Sequence, residues 1–316
     1  MRHASTTTRT RGTIGVRFRR LLVGALAGVV VVAAGTAMAR GATDHPSGSP
    51  APARSGAPFD VSGWQRLLDD DLVPLRQYDT DRTAWVAATL FDYRALADEK
   101  DWTTRLDTVR AQLLATAPSR LGPTDRLAWA IDTYNFLVIE RITREQAARA
   151  AAGPALASVQ DVKDFFTSPA AEVEGRTYSL EAFEHHFVFL DVDRREDRPL
   201  PPGFDARAHF ALVGGAIGCP PLWPNAYRGS VLDAQLDSVS LAALHSPSQL
   251  RWDPVRRTLE VSELFNWNDH DFGGPDGVMA FLMKHAPAIV TIDLDRYRVA
   301  TPTGVVPWDW RLNQRP

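Results

Sequence analysis

Residues 21–39, LLVGALAGVVVVAAGTAMA, run for nineteen positions without a charged side chain. A helix needs about 20 such residues to cross the hydrocarbon core of a bilayer, so this run is set apart from any water-soluble fold. Arg17, Arg19 and Arg20 stand directly before it. Cations on that side predict residues 1–20 as a basic cytoplasmic end, with everything after the run outside. Two fates stay open for 21–39. Ala37-Met38-Ala39 has the A-x-A form of a signal-peptidase site, but the run exceeds the about 7–15 residues of a signal-peptide core. It is read as a transmembrane anchor or a signal-peptide core. The protein is expected in the cell envelope, anchored facing outward or periplasmic or secreted after cleavage near Ala39. Residues 40–57 turn to Gly, Ser, Pro and Ala, which is a linker composition. One globular domain is left for residues 58–316.

Charge narrows the partners of that domain. Seven arginines and no acidic residue precede Asp44, so a formal net charge of -3 for the chain leaves -10 for residues 41–316. An acidic body lacks the basic footprint that phosphate backbones require, and nucleic acid is excluded as a partner. The single cysteine, Cys219, rules out an intrachain disulfide. No phosphate loop, serine-hydrolase elbow or dinucleotide fingerprint is present. No cofactor is expected.

Periodicity gives helices first. Stretches 59–75 and 84–96 carry apolar residues at mixed helical spacing, and 102–117 sets Leu106, Val109 and Leu113 on one face. The strongest helix covers about 124–150, with Leu127, Ile131, Val138 and Ile142 on one stripe. Asn135 falls on that stripe and needs buried hydrogen-bond partners. A further helix is predicted over 178–188, capped by Ser179, with Glu184 on the flank of its apolar face and His185 and His186 following. Strands come late: an alternating stretch at 208–213, a hairpin around Asp253-Pro254, and a strand near 289–292, with a helix over about 276–285 between the last two. The predicted class is α+β, a single globular domain with helices first and then a mostly antiparallel sheet.

Chemistry concentrates in RAHFALVGGAIGCPPLWP, residues 207–224. The glycines permit tight backbone, and Pro220 suits a first helical position. That reading puts Cys219 at a helix N-terminus, where the dipole lowers a thiol pKa. His185, His186, His209 and His270 are candidate bases for such a nucleophile, and spacing does not choose among them. A buried cysteine acting as a small hydrophobe is the opposing reading. Metal binding by His185, His186, His209, Cys219 and Asp271 lacks any ligand pair at metal-site spacing.

Five stretches in order, LAWAIDTYNFLVI (127–139), GRTYSLEAFEHH (175–186), RAHFALVGGAIGCPPL (207–222), VSELFNWNDHDF (261–272) and WDWRLN (308–313), resemble the family called domain of unknown function 547. The resemblance implies a polar set of Asn135, Glu184, His185, His209, Cys219, Asp271, Asp309 and Asn313. It also marks two departures: Asp132 stands where that family usually has asparagine, and Gly214 where it often has a second cysteine. A mechanism needing two thiols is disfavoured on that ground. The expectation is a thiol-dependent hydrolase or acyl or amide transferase, with Cys219 as nucleophile. His209 or His185 is then the base, and Glu184 and Asn135 orient. The competing expectation is a non-enzymatic domain binding a protein or cell-wall component, its polar motif residues holding the fold.

Overall fold

The computed structural model describes residues 59–78, 85–150, 153–191 and 200–315. The segments 1–20, 21–39 and 40–57 lie outside the described residues. Among the described residues no helix is long and apolar enough to cross a membrane.

Helix α1 (Ser62–Asp71) stops ahead of Pro74, because a proline has no N–H to give and disfavours helical backbone in the residue before it. The chain passes into β1 (Leu72–Tyr78), which pairs antiparallel with β2 (Trp85–Phe91). The helices expected over 59–75 and 84–96 are therefore each corrected to part helix, part strand. Asp92 marks the second break, since its side chain accepts from the Ala95 N–H at 3.1 Å and caps α2 (Tyr93–Asp98). Helix α3 (Trp102–Leu114) follows as predicted.

Helix α4 (Pro123–Ala150) is the axis of the domain. Proline at its first position and Asp125 in its first turn favour the start. From Ala128 to Glu140 every side chain is buried, so the helix is enclosed on all sides rather than laid on a surface. Trp129 shows how it is held: its indole donates to the Leu113 carbonyl at 2.8 Å, and its rings meet Phe183 and Phe187 at 5.5 and 5.2 Å.

Strands β3 (Pro169–Val173) and β4 (Arg176–Ser179) form a hairpin over Glu174-Gly175. Both turn residues have positive φ, 48° and 78°, which is the two-residue turn whose twist matches paired strands. Ser179 then caps α5 (Leu180–Phe183), accepting from Ala182 N–H at 3.1 Å as the sequence implied. The helix widens into a π turn over Glu184–Val188, closed by Phe189 N–H on the Glu184 carbonyl at 3.1 Å.

The strand expected over 208–213 is corrected. Asp205 accepts from the Arg207 N–H at 3.0 Å and starts a 3-10 turn, Ala206–Phe210, after which the backbone is irregular. Arg207 ties that turn to α6 (Leu232–Leu244) through Asp233 and Asp237, both at 2.7 Å. The predicted hairpin is present as β5 (Leu250–Asp253) and β6 (Thr258–Ser262). After α7 (Glu263–Trp267) and α8 (Gly274–His285), the expected strand near 289–292 is instead α9 (Ala288–Arg296). Val290 and Leu294, four apart, are its buried positions, while Ile289 and Ile292 face solvent. β-Branched residues suggested a strand there, and the i, i+4 burial decided for a helix.

Strand β7 (Gly304–Val306) runs parallel to β6. The class is α+β, but in place of one late antiparallel sheet the described residues hold three small ones: β1-β2, β3-β4 and the mixed β5-β6-β7. The last residues then thread the domain. Ile217 and Gly218 donate to the carbonyls of Arg311 and Asp309, Asn313 donates to Gly215, and Phe91 donates to Asn313, all at 2.8–3.0 Å.

Candidate functional site

The C-terminal thread clamps one side of the glycine-rich loop, and Asn135 of α4 clamps its entry. The Asn135 amide donates to the Ala211 carbonyl and its oxygen accepts from the Val213 N–H, each at 2.9 Å. Both ends of the amide are used on backbone, so Asn135 fixes the loop that carries Cys219. Gly215 follows with φ +81°, a left-handed conformation that glycine tolerates. Its missing side chain leaves room for Ile142, whose Cδ1 would lie 2.4 Å from a Cβ. Gly218 is also pressed close, a Cβ there lying 2.8 Å from the Asp309 nitrogen and 2.9 Å from the Trp308 ring. Its carbonyl accepts from the Gln249 amide at 2.7 Å.

Cys219 sits at the end of this loop, 8% exposed. No helix begins at Pro220; the next helical residues are Gly229–Val231. The expected helix-terminus setting for the thiol is therefore corrected. The sulfur instead accepts the Gly214 N–H at 3.2 Å. Burial pushes the thiol up to about 11, the backbone at Ala216 and Gly214 draws it down, and the charge of Glu184 raises it. At neutral pH the resting group is a thiol.

Two tyrosines complete the surroundings of the sulfur. Tyr134, next to Asn135 on α4, shares a hydrogen bond with Glu184, and burial, Glu184 and Cys219 all hold its hydroxyl well above the ordinary range. Tyr93 of α2 donates its hydroxyl to Asn313 Oδ1 at 2.8 Å, and burial followed by Cys219 keeps it protonated. The cluster is thus Cys219, Glu184, Tyr134, Tyr93 and Asn313. The π turn of α5 presents Glu184 half-buried toward it; such turns interrupt helices frequently at functional sites.

The histidines are placed differently. His209 is buried, with Nε2 2.8 Å from Asp271 Oδ2 and its ring stacked on Phe189 at 4.2 Å. That pair joins the 206–210 turn to the stretch after α7. His185 is half-buried in the π turn, where its carbonyl accepts from the Asp191 N–H at 2.7 Å. His186 pairs with Asp191 at 2.5 Å and stacks on Tyr178. Glu184 is the side chain whose charge raises the thiol. Asp309 pairs with the exposed Arg311. Among the described residues no three His, Cys, Asp or Glu side chains gather as a metal site.

Tyr93 and Tyr134 were not singled out from sequence as site residues. Tyr134 carried a usable signal, standing beside Asn135 on a helix with a wide apolar surface. Tyr93 carried none, lying in a stretch read as a featureless helix. Asp132, in contrast, explains its departure from the family pattern. Buried, it accepts Tyr227 N–H at 3.0–3.1 Å and the Trp64 indole at 2.9 Å, and burial holds its carboxyl well above the usual carboxylate range. An oxygen acceptor is what the position requires, and an asparagine supplies the same one.

Fold and site together define an α+β domain built around a buried thiol, a carboxylate and two tyrosine hydroxyls. Residues 118–241 match the family model described as "Protein of unknown function, DUF547". The match takes in α4, the π turn and the Cys219 loop. Neither a comparison with curated proteins nor one with solved structures gives a match.

Proposed function

We propose that the domain is a thiol-dependent hydrolase or acyl or amide transferase of the cell envelope, with Cys219 as nucleophile. The observation that carries this reading is the setting of the only cysteine: its sulfur rests on the Gly214 N–H beside the Glu184 carboxylate. Glu184 acts as proton acceptor, because its charge reaches the thiol. His209, whose Nε2 lies 2.8 Å from Asp271 Oδ2, is the alternative base, since a carboxylate on one ring nitrogen orients an imidazole for that role. As Sγ bonds to a substrate carbonyl carbon, the S–H proton passes to Glu184. Collapse breaks the bond to the leaving amine or alcohol, which takes that proton, and a thioester remains on Cys219. Water or an acceptor amine then attacks the thioester, giving its proton through Glu184 back to sulfur. Tyr134 holds the carboxylate through its hydroxyl, and Asn135 holds the loop. The apolar run at 21–39 and its preceding arginines support export of the domain.

Incubation of the full chain with p-nitrophenyl acetate tests this, with peptide mapping by mass spectrometry as the readout. An acetyl group is expected on Cys219, absent in Cys219→Ala, and formed about 100-fold more slowly in Glu184→Gln, in line with the loss of a general base. Equal labelling and ester turnover in Cys219→Ala would remove the nucleophile and leave a binding domain as the better reading.

A further inference from the structure

We propose that Trp267, Trp308 and Trp310 form a binding platform for a pyranose glycan beside the Cys219 loop. Trp267 ends α7 and is 49% exposed. Its ring centroid lies 4.9 Å from that of Trp308 and 6.4 Å from that of Trp310, and Trp308 and Trp310 are 6.0 Å apart. A ring held between two parallel planes needs roughly 7 Å, twice a van der Waals spacing. The three indoles therefore pack on one another, at interplanar angles of 50°, 27° and 54°, instead of framing a slot, with Trp267 exposed and Trp308 and Trp310 half-buried beside it. The surface is fixed from below. Trp308 donates its backbone N–H to Glu263 Oε2 at 3.0 Å and packs so tightly on Gly218 that a Cβ there would lie 2.9 Å from its ring.

Large aromatic side chains left grouped at a surface call for a partner. The chemistry of the rim selects which. Asp309 and Arg311 form an exposed ion pair at 2.5 Å within the same strand of chain as two of the indoles. Asn266 and Asp269, on either side of Trp267, are exposed as well. An indole face carries partial negative charge and attracts the polarised C–H groups of one face of a sugar ring. The ring hydroxyls then project sideways, where a carboxylate and a guanidinium take them by charge-assisted hydrogen bonds. A partner protein would require about 800 Å² of its own surface against a matching patch. Here one indole, Trp267, is exposed, Trp308 and Trp310 are half-buried, and the neighbouring Asn266, Asp269 and Arg311 are exposed polar side chains.

The platform adjoins the proposed active loop through Trp308 and Gly218, but the inference does not depend on the thiol. It is tested by calorimetric titration of the full chain, held in a detergent without a sugar headgroup, with a β-1,4-linked N-acetylglucosamine hexamer. Saturable binding is expected. Trp267→Ala weakens it by about tenfold, the loss of one aromatic contact and its area, while Trp267→Phe keeps most of it. Cys219→Ala leaves the affinity unchanged, so failure of the thiol reading does not touch this result. Absence of saturable binding by the folded chain would overturn the proposal, as would an unchanged affinity in Trp267→Ala. Self-association lost in Trp267→Ala, with sugar binding unaltered, would assign the surface to a protein contact and overturn it too.

Discussion

Gly215→Val is expected to destabilise the domain by about 2–6 kcal/mol, a large part of the about 5–15 kcal/mol that holds a typical domain together. Two costs combine. The backbone at 215 has φ +81°, which a β-branched residue adopts only with strain of about 1–3 kcal/mol. The new side chain also enters space held by Ile142 and Val159, whose nearest atoms lie 2.4 and 3.1 Å from the Cβ position. Overpacking of this kind costs about 1–3 kcal/mol more. Gly175→Val separates the two contributions. Gly175 has φ +78° with nothing within 4 Å of its Cβ position, so it should show only the backbone cost. Urea midpoints for the two variants measure the difference directly. If Gly215→Val were no worse than Gly175→Val, the tight packing of the loop on α4 would be refuted.

Asn135→Ala has the other large expected effect, about 2–6 kcal/mol. The substitution leaves the Ala211 carbonyl and the Val213 N–H without the partners that hold them at 2.9 Å. A buried group that loses its only partner costs about 1–3 kcal/mol, and two are lost together. Asn135→Asp discriminates between bulk and hydrogen bonding. It keeps an acceptor for Val213 N–H but sets a carboxylate oxygen against the Ala211 carbonyl, and it brings a charge into a buried site. It should therefore be no better than alanine, despite its near-identical shape. Thermal melts of the three proteins check this, and a stable Asn135→Asp would contradict the assigned orientation of the amide.

Residues whose partners lie close in sequence were the legible ones. The apolar stripe of Leu127, Ile131, Val138 and Ile142 announced α4, and Ser179 announced α5, because a helix start is decided within a turn of its own cap. The α+β class followed from the same local signals. Local signals also misled where two neighbouring elements share one composition, as at Pro74 and Asp92, or where β-branched residues sit on a helix, as in α9. The site was legible only in part. Glu184, Cys219 and Asn135 stood out as polar groups on apolar surroundings. The pairing of Tyr93 with Asn313 spans 220 positions, and no periodicity reports on contacts at that range. The environment of Cys219 was misread for the same reason. Pro220 looks locally like a helix start, while the C-terminal thread, arriving from residues 309–313, holds the loop extended.

The rate of alkylation of Cys219 by iodoacetamide against pH, in the folded full chain, tests the central claim most directly. The account predicts a slow reaction at neutral pH that rises with an apparent pKa of about 11, since burial and Glu184 both oppose the thiolate. Glu184→Gln removes one of those two, so it should lower that pKa and speed alkylation at pH 7. The same variant slows acyl transfer, because alkylation needs only the thiolate whereas acyl transfer needs the base. Opposite signs in one variant are the signature of a nucleophile coupled to Glu184. A thiol that reacts only when the chain unfolds, or at a rate indifferent to Glu184, would make Cys219 a core residue and contradict the account.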